Sequence, residues 1–250
     1  MDRPLAVVIM AAGKGTRMKN PDMAKVMFRV NGKPMIEHVV DLALDLRSQI
    51  TVVVVGWRKE SVIAHLESAA KKVTFVEQSP QLGTGHAVMQ AERPLRNFGG
   101  DVLVLSGDVP MLTLATVRGL LEFHRQHAAA ATVLTCVLAD ATGYGRVVRD
   151  GSGNVTAIVE HQDATSEQQK LTEVNSGIYV FDRARLFEGL QSITPDNAQK
   201  EYYLTDVFEY FWRNNLKVWA VAADDPREVQ GINTVQQLED IRSKIDRNVK

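Results

Sequence analysis

Between residues 11 and 18 the chain reads Ala-Ala-Gly-Lys-Gly-Thr-Arg-Met, directly after the apolar run Leu5 to Ala11. Glycine admits positive φ and close backbone approach, so successive N–H groups can turn toward an anion while Lys14 and Arg17 add charge. That combination suits a polyphosphate. It is neither common nucleotide motif: the GxxxxGK[ST] spacing is missing, and Met18 stands where GxGxxG needs its third glycine. From Lys14 to Lys33, six basic residues (Lys14, Arg17, Lys19, Lys25, Arg29, Lys33) face only Asp22. The whole chain carries a formal net charge of -1, 29 Lys plus Arg against 30 Asp plus Glu, so no global field would hold a nucleic acid. On this loop alone, a glycine turn with a solvated basic face is an equal alternative.

Two more loops carry chemistry. In Glu77 to His86, Gln78 offers an amide suited to a pyrimidine edge and Gly83 and Gly85 allow backbone contact. His86 falls in the first turn of a helix among apolar neighbours, which favours packing or capping over acid–base work. The apolar run ending at Leu105 leads into Ser106-Gly107-Asp108-Val109-Pro110. A carboxylate at the carboxyl end of a sheet strand is well sited to hold Mg²⁺ against a phosphate; equally, Asp108 could cap the helix after Pro110.

These loops need a scaffold, and the apolar pattern supplies one. Leu5–Ala11 and Ile50–Val55 are continuous, β-branched runs of the kind buried in a parallel sheet. Between them, Met35, Val39, Leu42 and Leu46 share a helical stripe behind Pro34, completing a βαβ unit. Helix at 58–70, strand at 72–77, helix at 85–96 and strand at 101–105 continue the alternation. This predicts a Rossmann-like, doubly wound, mostly parallel mixed sheet with ligands beyond the carboxyl ends of its strands. After residue 130 the rhythm shifts to short strands at 131–140, 145–150 and 154–161, punctuated by Gly143, Gly145, Gly151 and Gly153, an antiparallel addition. Helices at 183–190 and 204–214, a strand at 217–222 and a polar helix at 234–249 follow.

The chain has 250 residues, 45% hydrophobic and 24% charged, which fits one large α/β domain and excludes disordered, collagenous and coiled-coil classes. Its lone cysteine, Cys136, can form neither an internal disulfide nor a structural zinc site, reads as a plain buried thiol, and fits a reducing cytoplasm. No apolar run reaches the roughly 18 residues of a membrane span, and no signal peptide is expected at the start.

Taken together, VVIMAAGKGTRM, QLGTGHAV, SGDVP, TGYGRVVRD, VTAIVEHQDAT, EVNSGIYVFD, EYYLTD and GINTVQQL resemble the nucleotide-sugar pyrophosphorylases from residue 7 to about 238. The GYGR, EHQDAT and NSGIY segments are most similar to the uridylyltransferase half of bifunctional enzymes that also acetylate glucosamine 1-phosphate. The resemblance implies that Met10, Ala11, Ala12, Gly13, Gln78, Gly83 and Thr84 hold uracil and ribose, and that Arg17 and Lys25 face the phosphates as the catalytic charges. Gly145, Glu160 and Asn175 would hold the amino sugar in the antiparallel insertion, and Asp108 and Asn233 would be the protein ligands of Mg²⁺. The implied reaction joins UTP and N-acetylglucosamine 1-phosphate into UDP-N-acetylglucosamine with release of pyrophosphate, a step of cell-wall precursor biosynthesis. Ala24 and Ser106 depart from the family's proline and tyrosine at those places. The family's hexapeptide-repeat acetyltransferase domain is missing, so no acetyl transfer is expected of this chain. Residues 1–230 would form the transferase domain, and 231–250 a helical segment that connects to the absent domain or ends a single-domain enzyme. A homo-oligomer stays open. Competing readings are a nucleotidyltransferase for another sugar phosphate or nucleotide, and a non-catalytic sugar-nucleotide binder. The presence of Arg17, Lys25, Asp108 and Asn233 favours an enzyme.

Overall fold

The computed structural model describes residues 3–248. The chain begins with β1 (Leu5–Ala11), then a short hairpin of β2 (Arg29–Val30) and β3 (Lys33–Pro34), and α1 (Met35–Asp45). β4 (Ile50–Val55), α2 (Lys59–Ser68), β5 (Thr74–Glu77), α3 (Thr84–Met89) and β6 (Asp101–Ser106) complete the parallel half. The second half comprises α4 (Leu114–Gln126), β7 (Ala131–Val137), β8 (Arg146–Arg149), β9 (Val155–Val159) and β10 (Glu173–Asp182). It closes with α5 (Arg183–Leu190), α6 (Val207–Arg213), β11 (Val218–Ala222) and α7 (Val235–Asn248). Among the described residues no helix is long and apolar enough to cross a membrane.

The main sheet runs β11-β7-β10-β6-β1-β4-β5, with the β8–β9 hairpin attached to β10. β1 lies parallel between β4 and β6, in register Ile9 opposite Val53 and Leu105. Its side chains alternate between two layers: Val7 and Ile9 pack with Val39, Leu66 and Leu120, whereas Ala6 and Val8 pack with Val88, Leu95 and Leu186. Burial on both faces is why the strand is apolar without interruption. The expected α/β class and the mostly parallel sheet are what the chain forms.

Two differences matter for function. The antiparallel part includes a strand that the apolar pattern does not predict: β10 sits in the interior, antiparallel to both β6 and β7. Its register shifts between Asn175 and Ile178, where Gly177 takes φ 78°. The helix expected over 85–96 ends at Met89, and the following residues through Phe98 form successive turns; Pro94 has no N–H to continue the helix.

An aromatic cluster anchors this second half. Phe181 of β10 meets Phe208 and Phe211 of α6 with ring centroids 5.8 and 6.1 Å apart, and Tyr179 lies 5.8 Å from Phe208. Phe208 is fully buried. Phe208→Ala should therefore destabilise by about 3–5 kcal/mol through lost burial and a residual cavity. For a chain of this size that lowers the melting temperature by roughly 10 °C; calorimetric melting checks it, and an unchanged melt would contradict this packing account.

Candidate functional site

β1, β4, β5 and β6 end on one side of the sheet and release the glycine loop, the Gly56–Trp57 turn, the Gln78–Thr84 loop and the Gly107–Asp108 turn together. The Gly107 N–H donates to the Met10 carbonyl at 2.9 Å and the Trp57 N–H to the Ala12 carbonyl at 3.1 Å, which holds these exits side by side. β10 runs the other way, so its beginning, Asn175 to Gly177, reaches the same end. A Cβ on Gly177 would lie 3.3 Å from Ser106 Oγ.

Two adjoining cavities open there. The first is lined by Met10, Ala11, Ala12, Gly13, Gln78, Gly83 and Thr84, the whole set expected to hold a nucleotide, together with Lys25. Gly15 has φ 60°, and a Cβ there would come within 2.5 Å of the Lys25 Cβ. Only glycine lets the lysine segment cross the loop this closely. Gln78 is almost fully buried, and its Nε2 donates to the Gly83 carbonyl at 2.9 Å. The amide oxygen is the part left to read a base. His86 lies 3.2 Å from both Gln78 Nε2 and Gln90 Nε2, and burial holds its pKa below the ordinary histidine value. That is a packed, neutral imidazole at pH 7.

The loop from Leu82 to Gly85 is braced by the segment after Glu201, which itself lines this cavity and to which the sequence motifs assign no role. The Tyr202 N–H donates to the Leu82 carbonyl at 2.8 Å, and the Gly85 N–H donates to the Tyr202 carbonyl at 2.7 Å. Thr84 Oγ1 accepts from the Leu204 N–H at 2.9 Å. Gly83, at φ 107°, passes so close that a Cβ would lie 2.6 Å from the Tyr202 oxygen.

The second cavity is lined by Gly145, Glu160 and Asn175 together with Tyr144, Tyr179 and Arg17. The Asn175 N–H donates to the Gly145 carbonyl at 2.9 Å, and a Cβ on Gly145 would lie 3.4 Å from Glu160 Oε2. The Asn175 side chain is fixed at both ends: Nδ2 donates to the Tyr179 hydroxyl at 2.7 Å, and Oδ1 accepts from the Gly177 N–H at 3.1 Å. Glu160 accepts from Thr205 Oγ1 at 3.2 Å. Burial, and then the nearby Asp206, Asp163 and Glu201, raise the Glu160 carboxyl above its ordinary range. Hydroxyl donors from a sugar would compensate the solvation that burial removes. Tyr179 carries no signal of its own in the sequence; its place four residues after Asn175 on β10 becomes informative only once the bulge at Gly177 is known.

Met10, Thr84, Ser106 and Asp108 line both cavities, so the two share one seam. At that seam the four expected phosphate and metal residues meet. The Lys25 ammonium donates to Asp108 Oδ2 and, at 2.9 Å, to Asn233 Oδ1; Arg17 donates to the same Asn233 oxygen at 3.1 Å. Residues 108 and 233 are joined by the backbone, the Ile232 N–H donating to the Asp108 carbonyl at 2.9 Å, and Ile232 is fully buried beside Met18, Met35 and Leu238. Asp108 therefore faces the cleft as a charge partner. A carboxylate and an amide oxygen gathered around one cationic nitrogen are hard donors that fit a magnesium-like ion completed by phosphate and water oxygens. No group of three or more His, Cys, Asp or Glu side chains positioned for a metal occurs among the described residues.

Residues 6–226 match the nucleotidyl transferase family. The chain is 45% identical over 245 residues, 98% of its length, to the bifunctional protein GlmU of Pelotomaculum thermopropionicum, of which the match covers 53%. It is 44% identical over 97% of its length to the bifunctional protein GlmU of Streptococcus uberis, covering 52% of that protein. It thus spans about half the length of the curated relatives it matches. A UDP-glucose pyrophosphorylase complexed with UDP-glucose superposes with a TM-score of 0.75 at 17% identity, over 98% of this chain and 99% of that one, a likeness of fold.

Beside Glu160 lies an acidic recess that includes Asp163, Asp206 and Glu209. Burial first, then Glu209 and Asp163, push the Asp206 carboxyl up to about 6. Between the ordinary aspartate value of about 4 and that point, the folded chain keeps a proton that the unfolded chain has released. This contribution to stability is present at low pH, falls as pH rises through that window, and is flat beyond it. Asp206→Asn should accordingly melt higher than the native protein at pH 7.5, with the gap closing by pH 4. Fluorescence-monitored melting across pH checks this, and a gap independent of pH would sink it.

Proposed function

The chain belongs to the nucleotidyl transferase family, and from that premise we infer that it is a uridylyltransferase making UDP-N-acetylglucosamine and pyrophosphate from UTP and N-acetylglucosamine 1-phosphate. The observation that carries this reading is the shared seam: nucleotide-side and sugar-side cavities meet where Lys25, Asp108, Asn233 and Arg17 converge. An incoming sugar phosphate and an α-phosphate would have to meet at such a place. The attacking phosphate oxygen is already ionised, so no general base is required, and no Ser-His-Asp or Cys-His set is called for. The protein's work is alignment of the two substrates for in-line attack and compensation of negative charge.

Lys25 and Arg17 supply positive charge beside the seam. Gly145, Glu160 and Asn175 hold the hexose by hydroxyl and amide contacts, and the glycine loop with Gln78 holds the uridine. Asp108 and Asn233 would hold Mg²⁺, which when bound screens the phosphates and the departing pyrophosphate. The choice of uridine and N-acetylglucosamine rests on the likeness of QLGTGHAV, TGYGRVVRD and EVNSGIYVFD to that family. In this reading residues 1–230 are the transferase unit, and the segment that follows still serves the site through Asn233. A cytoplasmic setting accompanies the same reading.

The direct test is pyrophosphate release from UTP and N-acetylglucosamine 1-phosphate with Mg²⁺, set beside a panel of other nucleotides and sugar 1-phosphates. Release fastest with this pair is expected, and no release with any pair would sink the reading. Asp108→Asn keeps the shape and removes the charge, so turnover should fall by roughly a hundredfold or more, on the order of the 3 kcal/mol of a lost preorganised electrostatic group. Unchanged turnover at limiting Mg²⁺ would show that Asp108 has no part in the chemistry.

A further inference from the structure

The first turn of α7 is built around Gln237, a side chain to which the transfer reaction as derived above gives no task. Its Oε1 accepts from the Asn233 N–H at 2.8 Å and from the Thr234 N–H at 3.0 Å, while the Gln237 N–H donates to Thr234 Oγ1 at 3.2 Å. The Thr234–Gln237 exchange is a capping box, which satisfies donors that a helix start leaves over. The bond to Asn233 reaches one residue further back than the helix needs. It lands on the residue whose amide oxygen faces Lys25 and Arg17.

Asn233 is thus held from two directions. Ahead of it, Ile232 is fully buried and its N–H is bonded to the Asp108 carbonyl. Behind it, Gln237 grips its backbone N–H. Its own Nδ2 donates to the Gly231 carbonyl at 3.3 Å, which turns the amide oxygen toward the seam. A Cβ on Gly231 would lie 3.2 Å from that Nδ2 and 3.4 Å from Asp108 Oδ2, so the two candidate ligands are packed around one another. A neutral amide oxygen is a weak ligand, and it contributes to a cation site only when it is already in place. Gln237 itself lines the sugar-side cavity and stands within the same cleft.

We propose that Gln237 is a positioning residue for the cation site: its acceptor oxygen fixes the Asn233 backbone so that the Asn233 amide oxygen and the Asp108 carboxylate face one divalent ion together with the nucleotide phosphates. This rests on the nucleotidyltransfer reading and adds to it that α7 is part of the phosphate machinery. A residue that merely capped the helix would change stability alone.

The experiment measures Mn²⁺ affinity of the whole chain in the presence of UTP, without sugar phosphate, from the electron paramagnetic resonance signal of unbound Mn²⁺, with melting temperature in parallel. Gln237→Met keeps the length and loses the acceptor, so Mn²⁺ affinity should fall about tenfold or more, the usual cost of losing a supporting contact behind a metal ligand. Gln237→Glu keeps the acceptor and should bind Mn²⁺ at least as well as the native protein. Gln237→Asn, whose amide falls one methylene short, should behave as the methionine variant does and covers the case in which that variant does not fold. Thr234→Ala breaks the capping box without touching Asn233; it should lower the melting temperature and leave Mn²⁺ affinity within about twofold of native. Native affinity in both Gln237→Met and Gln237→Asn would overturn the proposal. A native protein that forms no Mn²⁺ site with UTP would overturn the nucleotidyltransfer reading along with it, whereas a native site indifferent to Gln237 overturns only the positioning role.

Discussion

A single ammonium group, that of Lys25, lies between the Asp108 carboxylate and the Asn233 amide oxygen, and much of the fold can be understood as the means of keeping it there. The three residues are drawn from positions 25, 108 and 233, so no local segment could gather them. Gly15 allows the lysine to cross beneath the glycine loop, where a Cβ would collide with it. The Gly107 N–H ties the end of β6 to the end of β1, and the Ile232 N–H ties the last segment to Asp108. A half-buried cation and carboxylate are costly to separate without replacements, so each is poised to exchange its partner for a ligand of the same sign. Phosphate oxygens would take the lysine, and a divalent ion would take the two oxygens.

The polarity of the sheet explains why a second cavity opens at the same point. Parallel strands deliver their carboxyl ends to one side, which is where β1, β5 and β6 place the loops proposed to hold the nucleotide. A strand that is to add residues to that side near its own beginning must run the other way. β10 does so, entering the interior of the sheet antiparallel to β6 and setting Asn175 beside Gly145 and Glu160. The bulge at Gly177 breaks the ladder where the cleft needs room beside Ser106. The aromatic contacts of Phe181 with Phe208 and Phe211 then brace this strand from the layer below.

How much of this was legible from residues alone varies with the range of the interaction. β1, β4 and β6 could be read because strands buried on both faces show continuous apolar runs, and the glycine loop because it sets cationic residues among glycines directly after such a run. β10 shows in the sequence only as a motif: its first half, Glu-Val-Asn-Ser-Gly, is polar and glycine-broken, and its burial comes from neighbours distant in sequence. The expected role of Gln78 was half visible, since its amide nitrogen proved to be spent within its own loop. The expected pairing of Asp108 with Asn233 was supplied by resemblance and not by spacing, and the backbone bond from Ile232 to Asp108 is the physical reason that the two lie together. Gln237 had no sequence signal beyond a helix start, because what distinguishes it is a bond one residue outside the cap.

The claim at the centre is that Lys25 and Asp108 act as one unit at the seam, and a double-mutant cycle on turnover tests it most directly. Lys25→Met, Asp108→Asn and the double variant would be compared with the native protein in single-turnover nucleotidyl transfer at saturating Mg²⁺. Groups in direct contact that serve one step are strongly non-additive. The account predicts that the double variant is no more than about tenfold slower than the worse single variant. Losses that multiply, leaving the double variant slower by the full product of the two single effects, would contradict it.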